Sequence, residues 1–256
     1  FSDITPAFRK DLNRFQPFGP GNTAPVFATC GVSNHGDAKL VGMECEHLRM
    51  DLSEIPNNRF CLPDADSAKE AEHYLDQKIA ECDSVGGVVE CVISGLPTGL
   101  GEPVFEKLDA NLAKAILSIG AVKGFEIGDG FAATKACGSE NNDEFRMDGD
   151  KIVKETNHAG GVLGGISDGS DVIFRAAFKP TPSIAKSQET VTKDGENIDL
   201  VIHGRHDPVV VPRAVVVVES MAAITAMDML LMSMTSRLDL IQMFFQVENV
   251  DDSPEQ

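Results

Sequence analysis

The sequence predicts a layered fold that contains both helices and strands, of the α/β or α+β class. Apolar residues recur with helical spacing in some segments and alternate with polar residues in others. The two kinds of element do not follow one another in strict βαβ order, and we find no internal repeat. Hydrophobic residues make up 42% of the 256 residues, which suffices for a buried core and excludes a disordered chain.

The first fifty residues differ in pattern from the rest. We expect a short amphipathic helix from Ile4 to Phe15, because its apolar residues have helical spacing. A run of turn-forming residues follows, and then two strands at Val26–Val32 and Lys39–Leu52. The pattern changes at Asp51, which predicts a boundary there.

Three elements are predicted in the next part of the chain. A helix is expected from Ser67 to about Cys82, with Ser67 as N-cap because Glu70 completes a capping box. A strand follows at Val85–Ser94. Pro103 suits the first turn of the next helix. Its predicted buried stripe is Val104, Leu108, Leu112, Ala115 and Ile119.

The C-terminal part predicts strands and a long helix. Residues 172–179 alternate and predict a strand with one buried face, and Asp194-Gly195 predicts the turn of a hairpin. The β-branched run Val215–Val218 predicts another strand, followed by a helix from Met221 to about Phe245. Charged residues interrupt this apolar stretch, so we expect it to be buried in protein rather than in a membrane.

The charge and the cysteines exclude several function classes. The chain has 22 Lys and Arg against 40 Asp and Glu, a net charge of -18, which disfavours nucleic-acid and anionic-membrane partners. The six cysteines contain no CxxC pair, which predicts free thiols in a reducing cytoplasm. The start of the sequence has no secretory signal pattern.

Three loops contain residue types that can carry chemistry. The glycine-rich stretch 157–169 lets a backbone approach a ligand closely, although its GGxxGG spacing is neither a dinucleotide fingerprint nor a Walker loop, and a structural turn is the alternative. Residues 179–184 combine a lysine with two hydroxyls, which suits a phosphate or an ordinary exposed loop. Residues 204–208 place an arginine, a histidine and an aspartate together, as an anion clamp or acid–base group. His203 and His206 have no third ligand at a recognised spacing, so no metal site is predicted.

In their order along the chain, these loops and several further segments resemble chorismate synthase. The resemblance covers about residues 56–231. It implies an α+β fold, a layered β-α-β sandwich of the chorismate synthase type that is incomplete at the N-terminus, and a homotetramer in the family. The segments that carry it are Asp83–Glu90, Gly99–Phe105, Ala121–Gly128, Gly138–Glu144, the glycine-rich stretch, Lys179–Thr181, Gly204–Pro208 and Arg213–Val215.

The resemblance implies a lyase of the shikimate pathway of aromatic amino acid biosynthesis. It would convert 5-enolpyruvylshikimate 3-phosphate to chorismate and phosphate by a 1,4-anti elimination, with reduced FMN and no net redox change. Asp207 corresponds to the family's aspartate near flavin N5 and is the catalytic residue expected here, as a proton relay. The implied flavin contacts are Gly120, Ala121, Gly164, Lys179, Pro180, Thr181, Pro182, Ser183 and Arg205, and the family often has Asn where Gly120 stands.

Three motifs of the family are absent from these 256 residues. They are a Gly-Glu-Ser-His-Gly segment, a Pro-Gly-His-Ala-Asp segment and an Arg-Ser-Ser-Ala-Arg-Glu segment. In the family they supply two acid–base histidines and most substrate-binding arginines. The alternative to an active lyase is therefore an inactive chimeric fragment.

The N-terminal segment has a different resemblance. Leu12–Asn22, Pro25–Phe27 and Glu46–Arg49 are similar to part of a RecJ-type single-strand exonuclease. This implies a partial OB-like segment over residues 1–50, a nucleic-acid-binding remnant, followed by a chorismate-synthase-like domain over residues 51–256. The cations of this segment are too scattered for a basic stripe, so we do not expect nucleic acid as a partner.

Overall fold

The computed structural model describes residues 26–33, 57–204, 206–239 and 241. The predicted helix Ile4–Phe15 and strand Lys39–Leu52 lie outside these residues. In chain order the described elements are β1 (Val26–Ser33), α1 (Ala65–Ala80), β2 (Gly87–Ser94), α2 (Leu108–Leu117), β3 (Val122–Ile127), a 3-10 helix (Gly130–Lys135), β4 (Phe145–Asp148), β5 (Lys151–Lys154), β6 (Val162–Leu163), β7 (Ile166–Ser167), β8 (Val172–Phe178), β9 (Gln188–Val191), β10 (Asn197–Leu200) and α3 (Val211–Thr235).

Four of the strands form one antiparallel sheet in the order β1-β2-β8-β3. Gly87 lies opposite Phe178 between β2 and β8, and Val122 lies opposite the same Phe178 between β3 and β8. The remaining strands form three separate pairs, β4–β5, β6–β7 and β9–β10. Helices and antiparallel strands are mixed without βαβ alternation, so the fold is of the α+β class.

The core lies between one face of this sheet and the helices. Along β8 the residues Val172, Phe174, Ala176 and Phe178 are buried while their neighbours are partly exposed, which confirms the predicted alternation. Helices α2 and α3 pack on this face and on each other. Their buried contributions include Leu108, Leu112, Ile116, Val211, Val218, Ala222 and Met229.

Helix α3 corrects one prediction. The run Val215–Val218 lies inside the helix rather than in a strand, and the helix begins at Val211 instead of Met221. Burial of Val218 and its helical neighbours against the sheet outweighs the β-propensity of a short valine run. By length and composition α3 can cross a membrane, and its buried residues belong to the core that it forms with the sheet.

Two helix starts also differ from prediction. Asp64, not Ser67, is the N-cap of α1, since its carboxylate accepts a hydrogen bond from the Ser67 amide at 2.7 Å. Helix α2 begins at Leu108, five residues after Pro103. Val104 has a positive φ of 61° and is 67% exposed, so it belongs to the preceding loop and not to a buried helical stripe.

Strand β1 confirms the predicted strand at Val26–Val32 and extends it to Ser33. It pairs with β2 from Val26 opposite Ser94 to Ser33 opposite Val88, with a register shift between Cys30 and Val32. This part of the N-terminal segment is therefore hydrogen bonded to the main sheet. The OB-like assignment and the boundary at residue 50 stay predictions.

Candidate functional site

Three connections meet at one end of the four-stranded sheet. Strands β2 and β3 begin at this end and β8 finishes there, because Gly87 and Val122 both lie opposite Phe178. The residues before β2, those before β3 and those after β8 are consequently neighbours. The first group is Asp83–Gly86, the second is Gly120–Ala121 and the third is Lys179–Ser183.

A backbone hydrogen bond joins two of these groups. The Lys179 amide donates to the Ala121 carbonyl at 2.9 Å. Ala121 adopts a positive φ of 73°, which turns the chain sharply into β3. A Cβ at Gly120 would meet no atom within 4 Å, so this side of the turn is open. The structure thus brings together Gly120, Ala121 and Lys179, three of the residues predicted to contact a flavin.

The loop Lys179–Ser183 offers groups that suit an anion. Lys179 and Pro182 are exposed, and Thr181 and Ser183 are partly exposed. Within the described part of the chain, the ammonium of Lys179 takes part in no ion pair. A cation that forms no ion pair with a described residue is unusual in a chain with a net charge of -18. Together with two hydroxyls it can bind a phosphate.

Asp207 lies at the same end of the sheet. Its carboxylate forms an ion pair with Arg213 in the first turn of α3. The carbonyl of the next residue, Pro208, accepts a hydrogen bond from the Val85 amide at 2.8 Å. Arg205, the predicted charged contact, lies outside the described residues.

Sequence reasoning missed two contributions to this region. Asp83–Gly86 contacts both the Lys179–Ser183 loop and the Pro208–Val209 segment, yet it was singled out only as part of the resemblance. Arg213, too, was named only as part of a segment that carries the resemblance. The antiparallel pairing of β2 with β8 could have identified Asp83–Gly86, since residues just before β2 lie beside residues just after β8.

Gly164 belongs to the opposite end of the sheet. It lies in the turn between β6 and β7, where the Leu108 amide donates to the Gly165 carbonyl and the Ser167 amide donates to the Leu100 carbonyl, each at 2.9 Å. The glycine-rich stretch precedes β8, and Lys179 follows it. A seven-residue strand spans about 20 Å. The flavin contact of Gly164 stays a prediction.

A buried ion cluster holds this second end together. Lys154 lies 2.7 Å from Asp168 and 3.2 Å from Asp143, and these three side chains are at most 7% exposed. Burial alone would raise the pKa of Asp143, but hydrogen bonds from the Ala159 and His158 amides, from Thr156 and from Lys154 lower this pKa to about 2. The cluster fixes the start of the glycine-rich stretch to β5.

His158 has an acidic neighbour in the same region. Its Nδ1 lies 2.7 Å from Oδ2 of Asp129, which follows β3. Among the described residues no group of three or more His, Cys, Asp or Glu is arranged to hold a metal ion. The His158–Asp129 contact joins the loop after β3 to the glycine-rich stretch.

A separate pocket lies on the hairpin β9–β10. Its lining includes the carboxylates of Glu189 and Asp199, which repel a phosphate. The chemistry of the Lys179–Ser183 loop suits a phosphate better, because it combines hydroxyls, an open turn at Gly120 and an ammonium that forms no ion pair with a described residue. We therefore take the end of the sheet at Lys179 as the candidate site.

Comparisons with known proteins identify relatives over most of the chain. A family profile described as chorismate synthase matches residues 23–231. The chorismate synthase of Agathobacter rectalis is 62% identical over 199 residues, which are 78% of this chain and 54% of that protein. That of Lachnoclostridium phytofermentans is 59% identical over 204 residues, 79% of this chain and 54% of that protein.

A solved structure agrees with the sequence matches. A crystal structure of chorismate synthase superposes with a TM-score of 0.65 and 26% identity, covering 87% of this chain and 61% of that chain. The chain spans about half the length of the curated relatives that it matches. The family match begins at residue 23, so it includes β1.

Proposed function

The chain belongs to the chorismate synthase family, and from this we propose that it contributes the flavin-binding half of a chorismate synthase site. The complete site would convert 5-enolpyruvylshikimate 3-phosphate to chorismate and phosphate with reduced FMN. The chain alone would not turn over, because the motifs that supply the family's acid–base histidines and most of its substrate-binding arginines are absent from its sequence.

The observation that carries this proposal is the meeting of the three connections at one end of the sheet. The hydrogen bond from Lys179 to Ala121 joins two of the segments that the resemblance assigns to the flavin. The bond from Val85 to Pro208 brings the segment with Asp207 to the same place. Residues that are far apart in sequence therefore share one surface.

The chain's own residues have separable tasks in this proposal. Lys179 and the hydroxyls of Thr181 and Ser183 bind the phosphate of the cofactor through charge-assisted hydrogen bonds. Arg213 holds the Asp207 carboxylate in place by an ion pair. Asp207 holds or passes the proton that leaves the substrate ring. When bound, reduced FMN supplies electron density that weakens the allylic C–O bond.

The oligomeric state and the cellular location that we propose for the chain are those of the family. We expect a homo-oligomer, a tetramer as the resemblance implies, and a cytoplasmic location. Cys61, Cys82 and Cys137 are free thiols in the described part of the chain, which suits a reducing compartment. Neither a nucleic acid nor a membrane is a proposed partner.

The test is complementation of the chain by the missing part of a relative. The part of the Agathobacter rectalis enzyme that this chain does not match is co-expressed with it, and the pair is purified. Chorismate formation and phosphate release are measured under anaerobic conditions with chemically reduced FMN. We expect no turnover from the chain alone and measurable turnover from the pair.

The matched control is the same pair carrying Asp207→Asn. It removes the charge of the carboxylate while keeping its shape, so it should assemble but turn over slowly. A purified pair that binds FMN and forms no chorismate would contradict the proposal. That result would support an inactive chimeric fragment.

A further inference from the structure

Segment Asp83–Gly86 is hydrogen bonded to the Lys179–Ser183 loop and to the chain that follows this loop. The Ser84 hydroxyl donates to the Thr181 carbonyl at 2.6 Å, across 97 residues of sequence. The Asp83 carboxylate accepts a hydrogen bond from Lys186 at 2.7 Å, across 103 residues. The first bond reaches the middle of the Lys179–Ser183 loop, and the second reaches a residue three positions after its end.

The same segment also holds the Asp207 segment. The Val85 amide donates to Pro208, and Val85 forms a parallel bridge with Val209. Val85 is buried, so this contact is shielded from water. Ser84 and Val85 are consecutive residues, and they reach two different loops of the candidate site.

The backbone at Gly86 also lies very close to the end of β8 and to Pro180. A Cβ at Gly86 would lie 2.3 Å from the Phe178 carbonyl oxygen and 3.1 Å from Cδ of Pro180. Any side chain at Gly86 would therefore push the loop after β8 away from the start of β2. Glycine permits the distance at which the Ser84 hydroxyl can reach Thr181.

We propose that Ser84 is a positioning residue that holds the Lys179–Ser183 loop, at a fixed distance from the Asp207 segment, in the geometry that binds the cofactor phosphate. The inference rests on the proposed function for its ligand and on the hydrogen bonds of Asp83–Gly86 for its geometry. Ser84 itself touches no reacting atom in this role.

The experiment compares three variants of the full chain. Ser84→Ala removes the hydroxyl, and Ser84→Thr keeps it. Ser220→Ala is the matched control, because the Ser220 hydroxyl donates to a backbone carbonyl at 2.7 Å on α3, away from the loop. Amide hydrogen exchange is followed at Lys179, whose amide donates to the Ala121 carbonyl, and in β2, and FMN affinity is measured by fluorescence quenching.

Ser84→Ala should raise exchange of the Lys179 amide about fivefold and weaken FMN binding by about the same factor, as expected for loss of one hydrogen bond that holds the loop. Exchange in β2 should change little. Ser84→Thr should restore both values, and Ser220→Ala should leave both unchanged.

Two results would overturn the proposal. One is a Ser84→Ala variant whose exchange at the Lys179 amide matches that of Ser220→Ala. The other is exchange that rises equally in β2, or that Ser84→Thr does not restore, which would indicate a general structural role. If the unmodified chain bound no FMN, the proposed function would fail, while the exchange data would still decide the role of Ser84.

Discussion

Lys154 and Asp143 form an ion pair that is almost completely withdrawn from solvent. Their charged atoms lie 3.2 Å apart, and the side chains keep only 3% and 4% of their exposure. A second carboxylate, Asp168, lies 2.7 Å from the same ammonium. One buried cation thus compensates two buried anions, which makes the cluster sensitive to loss of the lysine.

Lys154→Met should lower the free energy of unfolding by about 3–5 kcal/mol, because it leaves buried carboxylates without a counter-charge. The measurement is urea unfolding at neutral pH. Lys69→Met is the control, since the ion pair of Lys69 with Asp66 is fully exposed and should contribute little. Equal effects of the two substitutions would contradict this view of the cluster.

Acid should remove the contribution of Asp143. Its pKa is about 2 in the folded chain against an ordinary value of 3.8, so its stabilising effect is fully present above about pH 4 and is lost as the pH falls towards 2. The difference in unfolding free energy between the unmodified chain and Asp143→Asn should shrink over this range. A difference that stays constant from pH 5 to pH 2 would show that the charge of Asp143 is not the cause.

Glu90 should have the opposite pH dependence. Burial on β2 raises its pKa, although Arg175 on β8 partly opposes the shift. A raised pKa means that its contribution to stability is present at low pH and is lost as the pH rises through the folded value. Glu90→Gln should therefore stabilise the chain at pH 7 and have little effect at pH 4. Destabilisation at pH 7 would mean that the pairing with Arg175 outweighs the cost of burial.

Asp207 and Arg205 should differ in what they do for an assembled enzyme. Asp207→Asn should slow turnover more than it weakens FMN binding, because it changes a proton-carrying group. Arg205→Ala should mainly weaken binding, by about 1.5–3 kcal/mol, because it removes a charged partner of the ligand. Steady-state kinetics and FMN titration of the complemented pair separate the two effects. Equal loss of both properties in both variants would contradict this division of roles.

Local patterns predicted the elements that depend on local physics. The alternation along β8 and the Asp194-Gly195 turn of β9–β10 are confirmed, because side-chain period and turn chemistry are set within a few residues. The valine run of α3 was assigned wrongly, since the packing of α3 on a distant sheet decides its conformation. The predicted N-cap of α1, Ser67, lies three residues after the observed N-cap, Asp64. Both residue types can cap a helix, so the sequence did not distinguish them.

The candidate site was predictable only in part, for a related reason. The residue types of Lys179–Ser183 suggested a phosphate, and the resemblance added the other positions. That Ser84 reaches Thr181 depends on the register of β2 against β8, which no local pattern contains. The register also separates Gly164 from Lys179 by the length of β8, so the predicted contacts divide between two ends of the sheet.

Titration of the chain with FMN and with riboflavin tests most directly whether the loop after β8 binds the phosphate of FMN. Riboflavin has the same ring system and no phosphate. We predict weak binding of FMN, about tenfold tighter than that of riboflavin, because a charge-assisted contact to Lys179 is lost with the phosphate. Lys179→Gln should abolish the difference, and Lys193→Gln, in the β9–β10 turn, should leave it unchanged. Equal affinities for the two flavins, or tight stoichiometric binding that Lys179→Gln does not alter, would contradict the account.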